Sequence, residues 1–240
     1  MKKKYFFVII SCFVISISAK AQEPGSNSPY KVTADLAHNY IRRCIISTTT
    51  PTPNFQHTFN FVKSEGVYLS AYDFTNSKIS FFNNQINKKY KLCLREFFNA
   101  ASIKIIIDDS IIKLNKDSIF GYRDKKNICY RFFNKVAYKI INPSEKILLY
   151  SKTSLVGGPK NRSNNVTLYF FSENANSPIY RLSKWNLKTI LYKDVLFHEL
   201  LDVYFQSDKD LTAYDSYNKI YLLNRIYEIS KQAISMINHN

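Results

Sequence analysis

From Phe55 to about Ser172 the chain repeats one pattern: a short run of β-branched and aromatic residues, then a cluster of Asn, Asp, Ser or Lys. The runs are Val67–Phe74, Lys78–Phe82, Tyr90–Leu94, Ser102–Ile107, Ile111–Leu114, Ser118–Arg123, Ile128–Phe133, Val136–Ile141, Lys146–Tyr150 and Val166–Phe171. Several alternate with period two. Ile103, Ile105 and Ile107 oppose Ser102 and Lys104, and Ile128, Tyr130 and Phe132 oppose Cys129, Arg131 and Phe133. That period places one set of side chains on each face of a strand. Asp108-Asp109-Ser110 and Asp124-Lys125-Lys126-Asn127 read as hairpin turns in which Asn and Asp take the left-handed positions that Gly usually fills. Consecutive short strands with tight turns predict an antiparallel meander, either a twisted sheet or a partly open barrel.

After Pro178 the period lengthens to about 3.6 residues. Ser183 is placed to cap a helix carrying Trp185, Leu187, Ile190 and Leu191. Asp194 is placed to cap a second, with Leu196, Phe197, Leu200, Leu201, Tyr204 and Phe205 on one stripe. A third starts near Asp208 or Asp210 and runs towards Ile237, with Ile220, Leu223, Tyr227 and Ile234 inward. The expected class is α+β: an antiparallel β region over 55–180, then two or three helices over 181–240 packed on it. With 18 Phe, 18 Tyr and 45% hydrophobic residues, the chain can bury a sizeable core.

The N-terminus has the three parts of a secretory signal. Lys2, Lys3 and Lys4 precede an apolar run from Tyr5 to Ser18, and Ala19-Lys20-Ala21 forms an A-x-A cleavage site. Residues 1–21 are therefore expected to be a signal peptide, and residues 22–54 a polar leader ending in the Pro/Thr linker around Ser47–Pro53. No other run reaches the length needed to span a bilayer, so the mature chain is expected to lack a transmembrane segment. Loss of residues 1–21 removes four lysines (2, 3, 4 and 20) and no acid, lowering the formal charge from +16 to +12. Of the mature cysteines Cys44, Cys93 and Cys129, Cys93 and Cys129 lie in strand-like runs and fit a cross-sheet disulfide. All three also fit as small buried hydrophobes.

Chemistry-bearing motifs are few. Gly25, Gly66, Gly121, Gly157 and Gly158 have no phosphate-loop spacing. His198-Glu199-Leu-Leu-Asp202 puts His and Asp on one helix face, but Asp202 replaces the second His of a zinc motif and no third ligand is evident. His38, His57 and His239 are scattered. Asp108-Asp109 fits a turn better than a carboxylate pair. There is no G-x-S-x-G elbow, no C-x-x-C and no Cys with a His signature, so no catalytic residue, metal or cofactor is assigned. Asn161 and Asn165 begin glycosylation sequons. What remains is basic: Arg123, Lys125 and Lys126 on one hairpin, and Lys152, Lys160 and Arg162 in the stretch Lys152–Asn165, both flanked by aromatics. These six are the candidate contacts to an anionic envelope component such as lipopolysaccharide, an acidic glycan or a lipid headgroup. Nucleic acid is not expected, given export and the dominance of Lys over Arg. A spread of lysines is also an ordinary solvated surface, and the excess of Lys, Asn, Ile, Tyr and Phe is what an AT-rich coding sequence supplies.

The signal ending Ala19-Lys-Ala-Gln22, the runs Asp117-Ser-Ile-Phe-Gly-Tyr-Arg123 and Tyr130-Arg-Phe-Phe-Asn134, Tyr169-Phe-Phe-Ser172 and Phe197-His-Glu-Leu-Leu-Asp202 together resemble uncharacterised secreted proteins of Bacteroidetes-type bacteria. The resemblance implies a periplasmic, outer-surface or extracellular location and carries no activity or catalytic residue. The expectation is an exported, non-enzymatic binding or structural protein of the bacterial envelope. Its rival is a hydrolase of envelope polysaccharide or peptidoglycan, whose acids would come from separate strands.

Overall fold

The structure, a computed structural model, describes residues 65–81, 90–93, 101–107, 110–156 and 164–237. The expected signal peptide, leader and linker, with Cys44, His38 and His57, lie outside the described residues, as do Asp108-Asp109 and His239.

The chain is α+β. Seven antiparallel strands form one open sheet in the order β1 (Gly66–Tyr68), β5 (Gly121–Arg123), β6 (Cys129–Phe133), β7 (Val136–Ile140), β8 (Leu148–Val156), β9 (Asn164–Ser172) and β10 (Tyr180–Arg181). The sheet is not closed into a barrel; β1 and β10 end the order without pairing. Between β1 and β5 in sequence, β2 (Tyr90–Cys93), β3 (Ser102–Ile107) and β4 (Ser110–Asn115) make a separate three-stranded antiparallel sheet.

The period-two pattern decides what covers each face. Tyr122 pairs with Tyr130, Tyr130 with Lys139, Lys139 with Ser151 and Ser151 with Tyr169, so these residues form one row on one face. That face carries two covers. The small sheet lays Ile103 and Ile105 over Val67, Tyr122 and Phe132, with Ile119 completing the cluster. The C-terminal helices cover Ile147, Leu149 and Phe171 further along. Between the covers Lys139, Thr153 and Thr167 remain exposed. The opposite face buries Tyr68, Cys129, Ile140, Leu148 and Tyr150 beneath Phe74, Phe120 and Ile179. Arg131 lies there too, its guanidinium donating to Tyr150 Oη (2.9 Å), Ser172 Oγ (3.1 Å) and the Ser177 carbonyl (2.7 Å). It also sits 5.4 Å from the centre of the Phe120 ring. Burial without loss of hydrogen bonds explains how an arginine is accommodated there.

Three local readings are corrected. The run Val67–Phe74 is a strand of three residues followed by helix α1 (Ala71–Thr75). Ser70 accepts from the Asp73 amide and Asp73 accepts from the Ser70 amide, a capping box that outweighs the β-branched signal. Within Lys78–Phe82, Ser80 makes a single bridge to Val67, and Phe82 lies outside the described residues. At the C-terminus, α2 (Lys184–Ile190) and α3 (Val195–Tyr204) follow Ser183 and Asp194 as expected, but the third helix does not begin at Asp208. A 3₁₀ turn (Asp208–Thr212) and a hairpin of β11 (Tyr214–Asp215) and β12 (Ile220–Tyr221) come first, and α4 spans Leu222–Ile237. Asp215 builds that hairpin by accepting from the amides of Tyr217 and Asn218 while pairing with Arg225. Leu223, Ile226 and Tyr227 of α4 meet Phe197 and Leu201 of α3 in the core, whereas Trp185 is exposed. Asp194 occupies the N-cap position of α3, but its carboxylate pairs with Lys231 of α4 rather than with backbone amides.

Cys129 is a free, buried thiol 3.8 Å from Tyr68 Oη. The Cys93–Cys129 pairing is therefore not made. Burial pushes the Cys129 thiol up, which suits a small hydrophobe rather than a reactive thiolate.

Candidate functional site

A cavity of 630 Å³ opens beside the β6–β7 hairpin, lined by Lys116, Asp117, Ile119, Phe132, Phe133, Asn134 and Lys135. That volume lies within the range of about 300–1,000 Å³ that holds small ligands. Two short pieces of chain create it.

The first is the turn after β4. The Asn115 side chain accepts from the Asp117 amide (3.0 Å), and the Ser118 hydroxyl donates to the Asn115 carbonyl (2.9 Å). These are the local bonds that Asn and Ser favour over continued strand. The Lys116 amide donates to the Ala101 carbonyl (3.0 Å), carrying the β3–β4 pairing one step further and turning Lys116 inward. The second piece is the two-residue turn between Phe133 and Val136, which are paired. Asn134 (φ 49°) and Lys135 (φ 64°) are both left-handed, as a type I′ hairpin requires. Asn tolerates that conformation, while Lys is held in it at a cost of about 1 kcal/mol.

The floor is apolar and the rim is charged. Ile119 and Phe132 belong to the core beneath the small sheet, and Phe133 emerges on the opposite face of β6. Lys116 is only 2% exposed, with Nζ 5.5 Å from the centre of the Phe132 ring. Burial pushes its ammonium below the usual lysine range, because a low-dielectric wall disfavours the charged form. At the rim Lys135 Nζ lies 3.6 Å from Asp117 Oδ2, both side chains being about half exposed. An exposed pair of this kind contributes at most about 1 kcal/mol, so Lys135 exchanges its partner readily.

The six residues chosen from sequence do not converge. Arg123 is buried at 2% exposure beside Tyr68 and Cys129, a correction to its reading as a loop-tip contact. It sits one residue inside the turn, on the face covered by α1 and its neighbours. Lys125 and Lys126 are exposed on the hairpin tip, with Lys125 3.9 Å from the buried carboxylate of Glu65. Lys152 is in the body of β8, with Nζ 6.0 Å from the Tyr138 ring centre. The expected loop from Lys152 is strand as far as Val156, and Lys160 and Arg162 lie outside the described residues. His198 Nε2 lies 2.9 Å from the Leu191 carbonyl, and Asp202 is held by Lys184 and Lys188. Among the described residues no three His, Cys, Asp or Glu side chains form a metal-binding group, and no helix is long and apolar enough to cross a membrane.

One acidic grouping went unmarked in the sequence. Glu145 accepts from Asn142 Nδ2 (2.9 Å) and from the Tyr221 amide (3.1 Å), and Glu228 stands near it on α4. Burial pushes the Glu145 carboxyl up to about 7, with Glu228 adding to the shift and the donors opposing it. Asn142 and Asn224 both donate to the Ile147 carbonyl, so the cluster ties the loop before β8 to the start of α4. Both Glu145 oxygens are held by protein donors, an arrangement suited to a structural clasp. Comparison with known proteins finds no family model, no curated protein and no solved structure that matches this chain.

Proposed function

We propose that the chain is an exported binding protein of the bacterial envelope that holds an anionic group in the cavity beside the β6–β7 hairpin. The observation that carries this reading is the composition of the lining: two lysines and one aspartate share it with the apolar side chains of Ile119 and Phe132. Lys135 is only weakly committed to Asp117, so an incoming carboxylate or phosphate competes for it at little cost. Phe132, with Ile119 beside it, supplies apolar surface for the body of the ligand, and the few polar groups fix its orientation. The signal-like N-terminus and the basic balance of the chain support export and an anionic partner. The rival hydrolase would draw on Glu145 and Glu228; the engagement of both Glu145 oxygens makes it the weaker reading.

Isothermal titration with glucuronic acid and with glycerol 3-phosphate, each at low and high salt, tests the proposal and separates a glycan source from a lipid-headgroup source. The expected result is saturable binding of at least one, weakened by salt and reduced about tenfold by Lys135→Gln, equivalent to loss of a charge-assisted contact. Equal heats for wild type and Lys135→Gln, or no binding of either anion, would remove this site from consideration.

A further inference from the structure

On the face of the large sheet that buries Tyr150, Ile140 pairs with Tyr150, Tyr150 with Phe170 and Phe170 with Arg181. The period of two adds Tyr138, two residues before Ile140, and Lys152, two residues after Tyr150. Side-chain contacts join these residues into one row. Lys152 Nζ lies 6.0 Å from the centre of the Tyr138 ring, and Tyr138 meets Phe170 edge-on with ring centres 5.0 Å apart. The Arg181 guanidinium lies 5.4 Å from the centre of the Phe170 ring. Two cations therefore flank two aromatic rings across β7 to β10, a width of three strand spacings of about 4.8 Å each. Tyr138 and Phe170 pack on the core beneath Phe74 and Phe120 but stay half-buried, and Val166, further along the same face of β9, is exposed. Arg181 is exposed and Lys152 half-buried, and among the described residues neither pairs with a carboxylate. A cation over a ring at an accessible site is held by only about 0.5–1 kcal/mol, so both can turn to an anionic ligand and uncover the ring they border.

We propose that this row binds an acidic polysaccharide, whose uronic acid carboxylates pair with Lys152 and Arg181 while its sugar rings lie against Tyr138 and Phe170. The charge complementarity is specific: two cations without acid partners stand at either end of an apolar strip, and the guanidinium fork matches a carboxylate in two places. The signal-like N-terminus favours a glycan over nucleic acid as the polyanion encountered. The row is separate from the cavity beside the β6–β7 hairpin, whose lining contains none of these four residues.

Isothermal titration of the full chain with tetragalacturonate tests this, in wild type and in the Lys135→Gln background that silences the cavity. Saturable binding is expected in both, weakened about tenfold by Lys152→Gln and by Arg181→Gln, each of which removes one charge-assisted contact. Tyr138→Leu, which keeps apolar area but loses the ring, weakens it as well, with folding of every variant checked by circular dichroism. The double variant Lys209→Gln, Lys219→Gln removes two exposed charges elsewhere and leaves binding within about twofold of wild type. The methyl-esterified tetramer, which has no charge, does not bind. Absence of tetragalacturonate binding, or equal binding of its methyl ester, overturns the proposal. So does an equal loss in the Lys209, Lys219 variant, which would make the attraction one of net charge alone. Binding abolished by Lys135→Gln and unmoved at Lys152 and Arg181 assigns the glycan to the cavity, so that reading stands and the row falls. Tighter binding of single-stranded oligothymidylate, sensitive to the same two variants, overturns the glycan in favour of nucleic acid.

Discussion

Gly121 is the position at which one methyl group should do the most damage. A Cβ built there would lie 1.9 Å from the Tyr130 carbonyl oxygen and 3.0 Å from the Arg131 Cα. Ordinary contacts begin near 3.4 Å, so β5 and β6 must separate by more than about 1 Å to admit alanine. Both neighbours are backbone, so no side-chain rotation relieves the clash. Separation loosens the pairing of Gly121 with Arg131 and the bond from the Phe132 amide to the Phe120 carbonyl (2.7 Å). It also disturbs the Tyr122–Tyr130 stack, whose ring centres are 4.6 Å apart. Overpacking costs about 1–3 kcal/mol and each weakened buried hydrogen bond about 1 kcal/mol, so Gly121→Ala is expected to lose about 2–4 kcal/mol. For a chain of this size that lowers Tm by about 4–16 °C. Urea unfolding followed by circular dichroism should show a lower midpoint at an unchanged slope. A loss under about 0.5 kcal/mol would mean that the two strands do not approach as described, and the reasoning would fail.

Three further outcomes follow from named contacts. Because the folded state holds Glu145 protonated up to about pH 7 while the unfolded chain releases that proton near its ordinary value of 4.5, stability should fall as pH rises between those values and level off above. Glu228, also raised by burial, adds to the same slope; the Glu145 share is at most about 3 kcal/mol, and urea midpoints at pH 5 and pH 8 for wild type and Glu145→Gln should show the slope reduced in the variant. Arg131→Lys keeps the charge but cannot reach Tyr150, Ser172 and Ser177 together, and is expected to cost about 2–3 kcal/mol in the same urea assay. Ser70→Ala removes the hydroxyl half of the α1 capping box and should cost about 1 kcal/mol, while Ser70→Asp should largely restore stability.

The strands that sequence reveals well are those with one face covered. Ile103 and Ile105 alternate with polar neighbours because only one side of β3 meets the large sheet. The second half of β8, past Tyr150, is hidden for the converse reason, whereas Val166–Phe171 of β9 is legible. Lys152 is half-buried and Thr153 exposed, so little apolar periodicity marks this part of β8 although its pairing with β9 runs to Val156 and Asn164. The hairpin over residues 214–221 was absorbed into a helical period because Ile220 and Leu223 happen to keep that spacing. The cavity was less legible still. Asn115-Lys116-Asp117-Ser118 has the composition of a solvated turn, and locally it is one. Lys116 becomes buried through the packing of β3 and β4 on β6, a contact between distant segments that no window of sequence contains. Arg123 went astray in the opposite direction: adjacency to a charged turn suggested exposure, but its side chain falls on a covered face.

The placement of the cavity also bears on how a ligand would be felt. Phe132 and Ile119 line it and at the same time belong to the core that joins the two sheets, while Phe133 belongs to the packing on the other face. The lining therefore cannot spread without loosening contacts that hold the domain together, and a site so constrained loses little side-chain entropy when a ligand arrives. Binding to such a site stabilises the fold by mass action, reaching about 2.7 kcal/mol at one hundred times Kd. Its electrostatic part comes from two lysines rather than from the +16 of the whole chain. Salt should weaken binding only modestly, because a partly buried charge is screened far less than one spread over the surface. A steep salt dependence would instead point to the dispersed lysines, among them Lys125 and Lys126, and so to a surface association in which this cavity plays no part.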